Sequence, residues 1–174
     1  MKKRSTLLPL LLGLASVSMA LAAPSEPKPD QQFARKAAAG GAFEVKLGEV
    51  AQKNSENPEI KKFGAMMVEQ HGKAGAELAA IAKKQGIKLP AALPKKLQTK
   101  VDKLSGLTGK AFDAAYVSEM VTDHEADLAA FQAAAKSLTD PELKAFAEKT
   151  TGMIQMHLDH IRKIQAEMNK AVKP

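Results

Sequence analysis

Pro58-Glu59-Ile60-Lys61-Lys62-Phe63-Gly64 recurs as Pro141-Glu142-Leu143-Lys144-Ala145-Phe146-Ala147. Asn57 precedes the first copy and Asp140 the second. A short polar cap, proline at the first helical position and an acid beside the positive end of the helix dipole are a strong start signal. Each copy follows a long helical pattern, so each opens the second arm of a helical hairpin.

Working outward, helix 1 is expected from Asp30, read as its cap, to Asn54. Its apolar seam is Phe33, Ala37, Gly40, Glu44, Leu47 and Ala51, the rhythm of a helix packed in a bundle. Gly40-Gly41 marks a predicted close helix approach. Helix 2 carries Ile60, Gly64, Met67, His71, Ala74, Leu78 and Ile81 and stops at Gly86. Residues 87–109 break the pattern, with Pro90 and Pro94 at a bend and a short helix expected over Lys95–Leu104. Helix 3 spans Thr108–Ser137 with stripe Phe112, Tyr116, Met120, His124, Leu128, Phe131 and Ala135. Helix 4 follows Asp140 with Leu143, Phe146, Thr150, Ile154, His157, Ile161, Ile164 and Met168. Two antiparallel hairpins and one long crossover between helices 2 and 3 describe an all-α, ferritin-like four-helix bundle.

The N-terminus reads differently. Lys2, Lys3 and Arg4 precede an apolar run from Leu7 to Leu21, and Ala20-Leu21-Ala22 has small residues at the cleavage positions. Residues 1–22 are therefore expected to be a signal peptide, 23–29 a proline-rich linker, 30–170 the helical domain and 171–174 a tail. The apolar run is shorter than the ~20 residues of a spanning helix. Removing the three basic residues lowers the net charge from +7 to +4. An exported, periplasmic chain without cysteine rests on its core alone, and about 150 residues suffice for one.

Met67-Val68-Glu69-Gln70-His71, Met120-Val121-Thr122-Asp123-His124 and Met153-Ile154-Gln155-Met156-His157 share the pattern Met-[Val/Ile]-x-x-His and use three of the four histidines. With Glu44, each helix then carries one ionisable seam residue. His71 lies ~5 Å further from its hairpin turn than Glu44 does, and His157 stands similarly to His124. All four can converge in one layer, with Asp127 a fifth candidate and Tyr116 a polar neighbour. His160 is expected at the rim, and Glu49 and Glu125 in solvent.

Three imidazoles and a carboxylate suit one Zn, Fe, Mn or Cu ion. A polar network that sets helix register is the alternative. Di-iron bundles use Glu-x-x-His, but here Val68, Val121 and Ile154 stand three residues before the histidines. That argues against a carboxylate-bridged pair and a ferroxidase. Met67, Met120 and Met153, one turn before each histidine, would suit copper, although methionine is also ordinary core filler. An enzyme with a metal-bound water at this layer, or an envelope adaptor, are the alternative functions.

Residues 83–110 contain eight lysines and one acid, Asp102. This basic crossover is expected to be a solvated connector or to meet an anionic envelope surface. Nucleic acid is not expected, because no aromatics interleave with the lysines.

Phe43-Glu44-Val45-Lys46-Leu47-Gly48-Glu49-Val50-Ala51, Lys62 through His71, Phe112-Asp113-Ala114-Ala115-Tyr116 followed by His124, and His157-Leu158 together resemble the bacterial family called domain of unknown function 4142. The resemblance covers about residues 30–168. Gln70 stands where that family usually has Asp, and Gly152 where Pro is common. It implies a ferritin-like bundle exported to the periplasm or envelope, and no established activity.

Overall fold

The computed structural model describes residues 28–172. Among them are five helices and no strand: α1 Pro29–Asn54, α2 Pro58–Lys84, α3 Lys95–Ser105, α4 Gly109–Ser137 and α5 Pro141–Val172. The expected signal peptide and most of the linker lie outside the described residues. The expected tail is helical as far as Val172.

The repeated start signals work as local chemistry predicts. Asn57 Oδ1 accepts from the Glu59 N–H at 2.9 Å, and Asp140 Oδ1 accepts from the Leu143 N–H at 2.9 Å. Gly86, with φ of 64°, takes the left-handed conformation that ends α2. Asp30 departs from expectation. It lies inside the first turn of α1, and its carboxylate accepts from the Thr139 N–H at 3.1 Å, the Thr139 hydroxyl at 2.7 Å and the Asp140 N–H at 2.9 Å. One acid thus fastens the start of α1 to the link between α4 and α5. At the other end, Asn54 Nδ2 donates to the carbonyls of Leu107 at 2.8 Å and Ser105 at 3.1 Å. The buried Ser55 hydroxyl donates to Asp113.

α1 packs most extensively on α2, and α4 on α5. The close approach within the first pair is not at Gly40-Gly41. It is at Gly48 and Gly64: a Cβ at Gly48 would stand 2.5 Å from the Gly64 carbonyl, and one at Gly64 2.7 Å from the Gly48 carbonyl. Gly40 and Gly41 serve the site instead, since their Cβ positions face Asp127 Oδ2 at 3.5 Å and His71 Nδ1 at 3.9 Å.

The core has two apolar parts. One holds Phe43, Leu47, Ile60, Phe63, Met67, Tyr116, Met120, Leu158 and Ile161. The other holds Ala34, Leu78, Phe131, Leu143, Phe146 and Ile154. On α2, α4 and α5 the buried histidine falls between the two groups along the helix. α3 lays Val101 and Leu104 on the first part. Lys100 of α3 pairs with Glu119 and sits 5.8 Å over the Phe43 ring, while Lys84 pairs with Glu142 at 2.6 Å. Two of the eight crossover lysines are therefore spent within the fold.

Two glycines of α2 give opposite expectations. Gly64→Ala should destabilise by about 1–3 kcal/mol, because the new methyl meets backbone. Gly72, with nothing within 4 Å of its Cβ position, should stabilise as Gly72→Ala by about 0.5–1 kcal/mol. Urea melts of the two variants check the pair of signs.

Candidate metal centre

Each long helix delivers one buried ionisable side chain to the middle of the molecule: Glu44 from α1, His71 from α2, His124 from α4 and His157 from α5. Glu44 is 1 % exposed, and His124 and His157 are 0 % exposed. One ring nitrogen of each histidine lies within 4.8 Å of those of the other two. Phe63 packs against the group, its ring centroid 6.0 Å from His124, 6.2 Å from His157 and 5.6 Å from half-buried His160.

Hydrogen-bond partners decide which nitrogens are free. Gln70 Oε1 is 2.8 Å from His157 Nε2. An amide oxygen only accepts, so Nε2 carries the proton and Nδ1 keeps its lone pair, 3.3 Å from His71 Nε2. His71 Nδ1 lies 2.8 Å from Glu44 Oε2, a close ion-pair contact that is off the hydrogen-bond axis. On His124, Nδ1 is 2.9 Å from the Met120 carbonyl. A carbonyl only accepts, so Nδ1 carries a proton; burial disfavours the imidazolium, and Nε2 is then the lone pair. It stands 3.4 Å from Glu44 Oε1, and neither atom has a donor. Two acceptors face each other in the buried interior, where each unpaired group costs roughly 1–3 kcal/mol. A cation between them removes the mismatch.

The charges follow from the same geometry. Burial opposes protonation of His71, but Glu44 offsets it, by charge and by contact, and with Asp127 raises its pKa above the usual value. Burial outweighs Glu44 at His124 and lowers it. His157 is pushed down to about 3, by burial first and then by repulsion from the other histidines. Burial, then Glu44, push Asp123 up to about 8 and Asp127 up to about 7.

The chain belongs to the family described as a domain of unknown function, DUF4142. The family model matches residues 15–164. No curated protein matches the sequence. This DUF4142 chain is similar in fold to a DUF305 fragment from Deinococcus radiodurans, with a TM-score of 0.71 and 12 % identity over 80 % of this chain and 97 % of that one. It is similar to a putative secreted DUF305 protein from Streptomyces coelicolor, with a TM-score of 0.68 and 13 % identity over 79 % and 92 %. CopM in its Cu(I)-bound form has a TM-score of 0.68 and 13 % identity over 82 % of this chain and 99 % of that one. CopM is also known in Cu(II)-bound and Ag-bound forms.

The expected layer of Glu44, His71, His124 and His157 is brought together. Asp127 is not with the imidazoles: its oxygen groups with those of Glu44 and Asp123. Sequence reasoning missed Asp123, which points to the acids while its neighbour His124 points to the imidazoles. It also missed the work of Gln70, whose side-chain oxygen meets His157 Nε2 in this DUF4142 chain. Tyr116 is buried beside the group with an unpartnered hydroxyl, and burial with the Glu44 charge raises its pKa. Glu49 and Glu125 are exposed, the latter paired with Arg162 at 2.7 Å. Met67 and Met120 are core residues. The contact that Met120 makes with the site is its carbonyl.

The metal-stripped protein should melt at a lower temperature at pH 8 than at pH 6.5. Asp123 and Asp127 hold protons in the folded chain that the unfolded chain has already released near 3.8, so folding weakens as pH rises through 7 and 8. His71, raised, acts in the same direction. His124 and His157, lowered, act oppositely but only below 6.5, their unfolded value. Asp123→Asn with Asp127→Asn should flatten the slope in a thermal melt.

Proposed function

We propose that this protein is a non-enzymatic metal-handling protein of the periplasm that binds one transition-metal ion, copper foremost, at His71, His124 and His157 beside Glu44. The observation that carries the reading is that His124 Nε2 stands 3.4 Å from a Glu44 oxygen with no hydrogen-bond partner on either atom. A network built only to set register would place a proton between them. The rest of the centre supports the same reading. His157 is turned by Gln70 so that a lone pair faces inward, and the Met120 carbonyl does the same for His124, the outer-sphere support that metal-bound histidines ordinarily have. Glu44 orients His71 through Nδ1 and can also supply an oxygen.

Imidazole with carboxylate accepts Cu(II), Zn(II), Fe(II) or Mn(II). Copper is put first because CopM, of similar fold, is known with Cu(I), Cu(II) and Ag. The helices are read as a ferritin-like antiparallel four-helix bundle with α3 in its crossover. Binding is favoured over turnover because the cavity beside Glu44 and His71 is about 30 Å³, room for about a water molecule and not for an organic substrate. The exposed lysines of the crossover, Lys95, Lys96 and Lys103 among them, are proposed to meet an anionic envelope surface. Vesicle co-sedimentation that is indifferent to salt would remove that partner.

Tag-free, metal-stripped protein titrated with Cu(II) should bind one ion, with nitrogen couplings in its electron paramagnetic resonance spectrum. At about 100 times the dissociation constant, that ion should add about 2.7 kcal/mol of stability. Gln70→Leu should weaken binding by about 10- to 100-fold, and His124→Ala by at least that much. The reading fails if no stoichiometric Cu, Zn, Fe or Mn binds and none of them shifts the melting temperature.

A further inference from the structure

Beside the imidazoles lies a second group with different chemistry. Asp123 and Asp127, one turn apart on α4, share a face and meet Glu44 of α1. One oxygen from each of the three lies within 4.8 Å of the others. Close carboxylates are common on protein surfaces without any ion, but here Glu44 is buried and Asp123 and Asp127 are half-buried. Glu44 is 1 % exposed and both of its oxygens lack a hydrogen-bond donor, and Asp123 Oδ2 is likewise buried without one. The space beside them is kept open. Gly40 puts no side chain against Asp127, and the 30 Å³ cavity is lined by Glu44, Gly41, Asp127 and Thr150. The cationic neighbours are few: His71 meets Glu44 at 2.8 Å, and Lys100, the lysine closest in effect to Asp123, is already paired with Glu119.

We propose that Glu44, Asp123 and Asp127 form a second cation site, an all-oxygen one for a hard divalent ion of the Mn2+ type, set next to the imidazole triad and joined to it through Glu44. Oxygen-only ligands select hard cations, whereas three imidazoles favour borderline and softer ones. The molecule then carries two unlike sites side by side, and the hard ion adds positive charge where His71 alone faces three carboxyl groups. On α4 the acids serve one site and the histidine the other, and Glu44 lies between the two. The site stands on the three carboxylates alone and does not require a metal at the histidines.

Mn2+ is the probe, because free Mn2+ gives a six-line resonance signal that is lost on binding. The metal-stripped protein is titrated as wild type, as Asp123→Asn/Asp127→Asn, and as His157→Gln, with circular dichroism confirming that each is folded. The amide variants keep shape and remove charge from an apolar surrounding, so they retain the fold. The expected result is Mn2+ binding in wild type and in His157→Gln, weakened by about tenfold or more in the double Asn variant. Cu(II) binding should persist in that double variant. Mn2+ that fails to bind wild type, or is lost in His157→Gln, or binds the double Asn variant as tightly as wild type, overturns the second site. Mn2+ binding that survives His157→Gln and is lost in the double Asn variant reads the carboxylates, and Cu(II) binding that survives the double Asn variant reads the imidazoles, so failure of one assignment leaves the other standing.

Discussion

The Met120 carbonyl takes the proton of His124 Nδ1, and that single backbone contact governs the centre of the molecule. It leaves Nε2 as an acceptor aimed at the Glu44 carboxylate, which is an acceptor too. Both residues are buried between two apolar parts of the core. An arrangement that costs free energy in the folded chain persists where the surrounding packing over-determines it, and such places are commonly functional. The hydrogen bonds at the two ends of the molecule, from Asp30 at one and Asn54 and Ser55 at the other, tie the helices whose packing holds these groups together.

Gly48 and Gly64 set the level at which the layer forms. Their backbones touch where any side chain would intrude, so α1 and α2 have one register at close range. Glu44 lies one turn from that contact and His71 about two, an offset of ~5 Å along the axis. Side chains of a helix tilt toward its N-terminus. On α1 that tilt carries Glu44 away from the hairpin turn, and on α2 it carries His71 toward it. The two motions close the offset and bring Nδ1 to 2.8 Å from the carboxylate. The same reasoning applies to His124 and His157 on α4 and α5.

α4 shows how one helix can serve two chemistries. His124 points to the imidazoles, while Asp123 and Asp127 point to Glu44. Periodicity along a single helix registers His124 because it falls on the apolar stripe. Asp123 is one position off that stripe and reads as solvent-facing. It is half-buried in fact, its carboxylate grouped with those of Glu44 and Asp127.

Much of the architecture was legible beforehand. Asn57-Pro58-Glu59 and Asp140-Pro141-Glu142 start helices by local hydrogen bonding and fixed φ, which need no distant partner. The spacing of seam residues placed Glu44, His71, His124 and His157 inside, because burial of an apolar stripe drags its occasional polar member in with it. What depended on tertiary structure is every feature that depends on the neighbour across the interface. The sequence by itself determined four long helices, a short one in the crossover, and that Glu44, His71, His124 and His157 are buried, though not that Asp113 is buried too. Only the tertiary structure decided that Gly48–Gly64 rather than Gly40–Gly41 is the contact, that Gln70 holds His157, that Asp30 caps a distant link, and that Asp123 joins Asp127 at Glu44. A helix pattern reports which face is buried, but rotation and axial offset between two packed helices are fixed by side-chain volume on both, and one strand of text carries no record of that pairing.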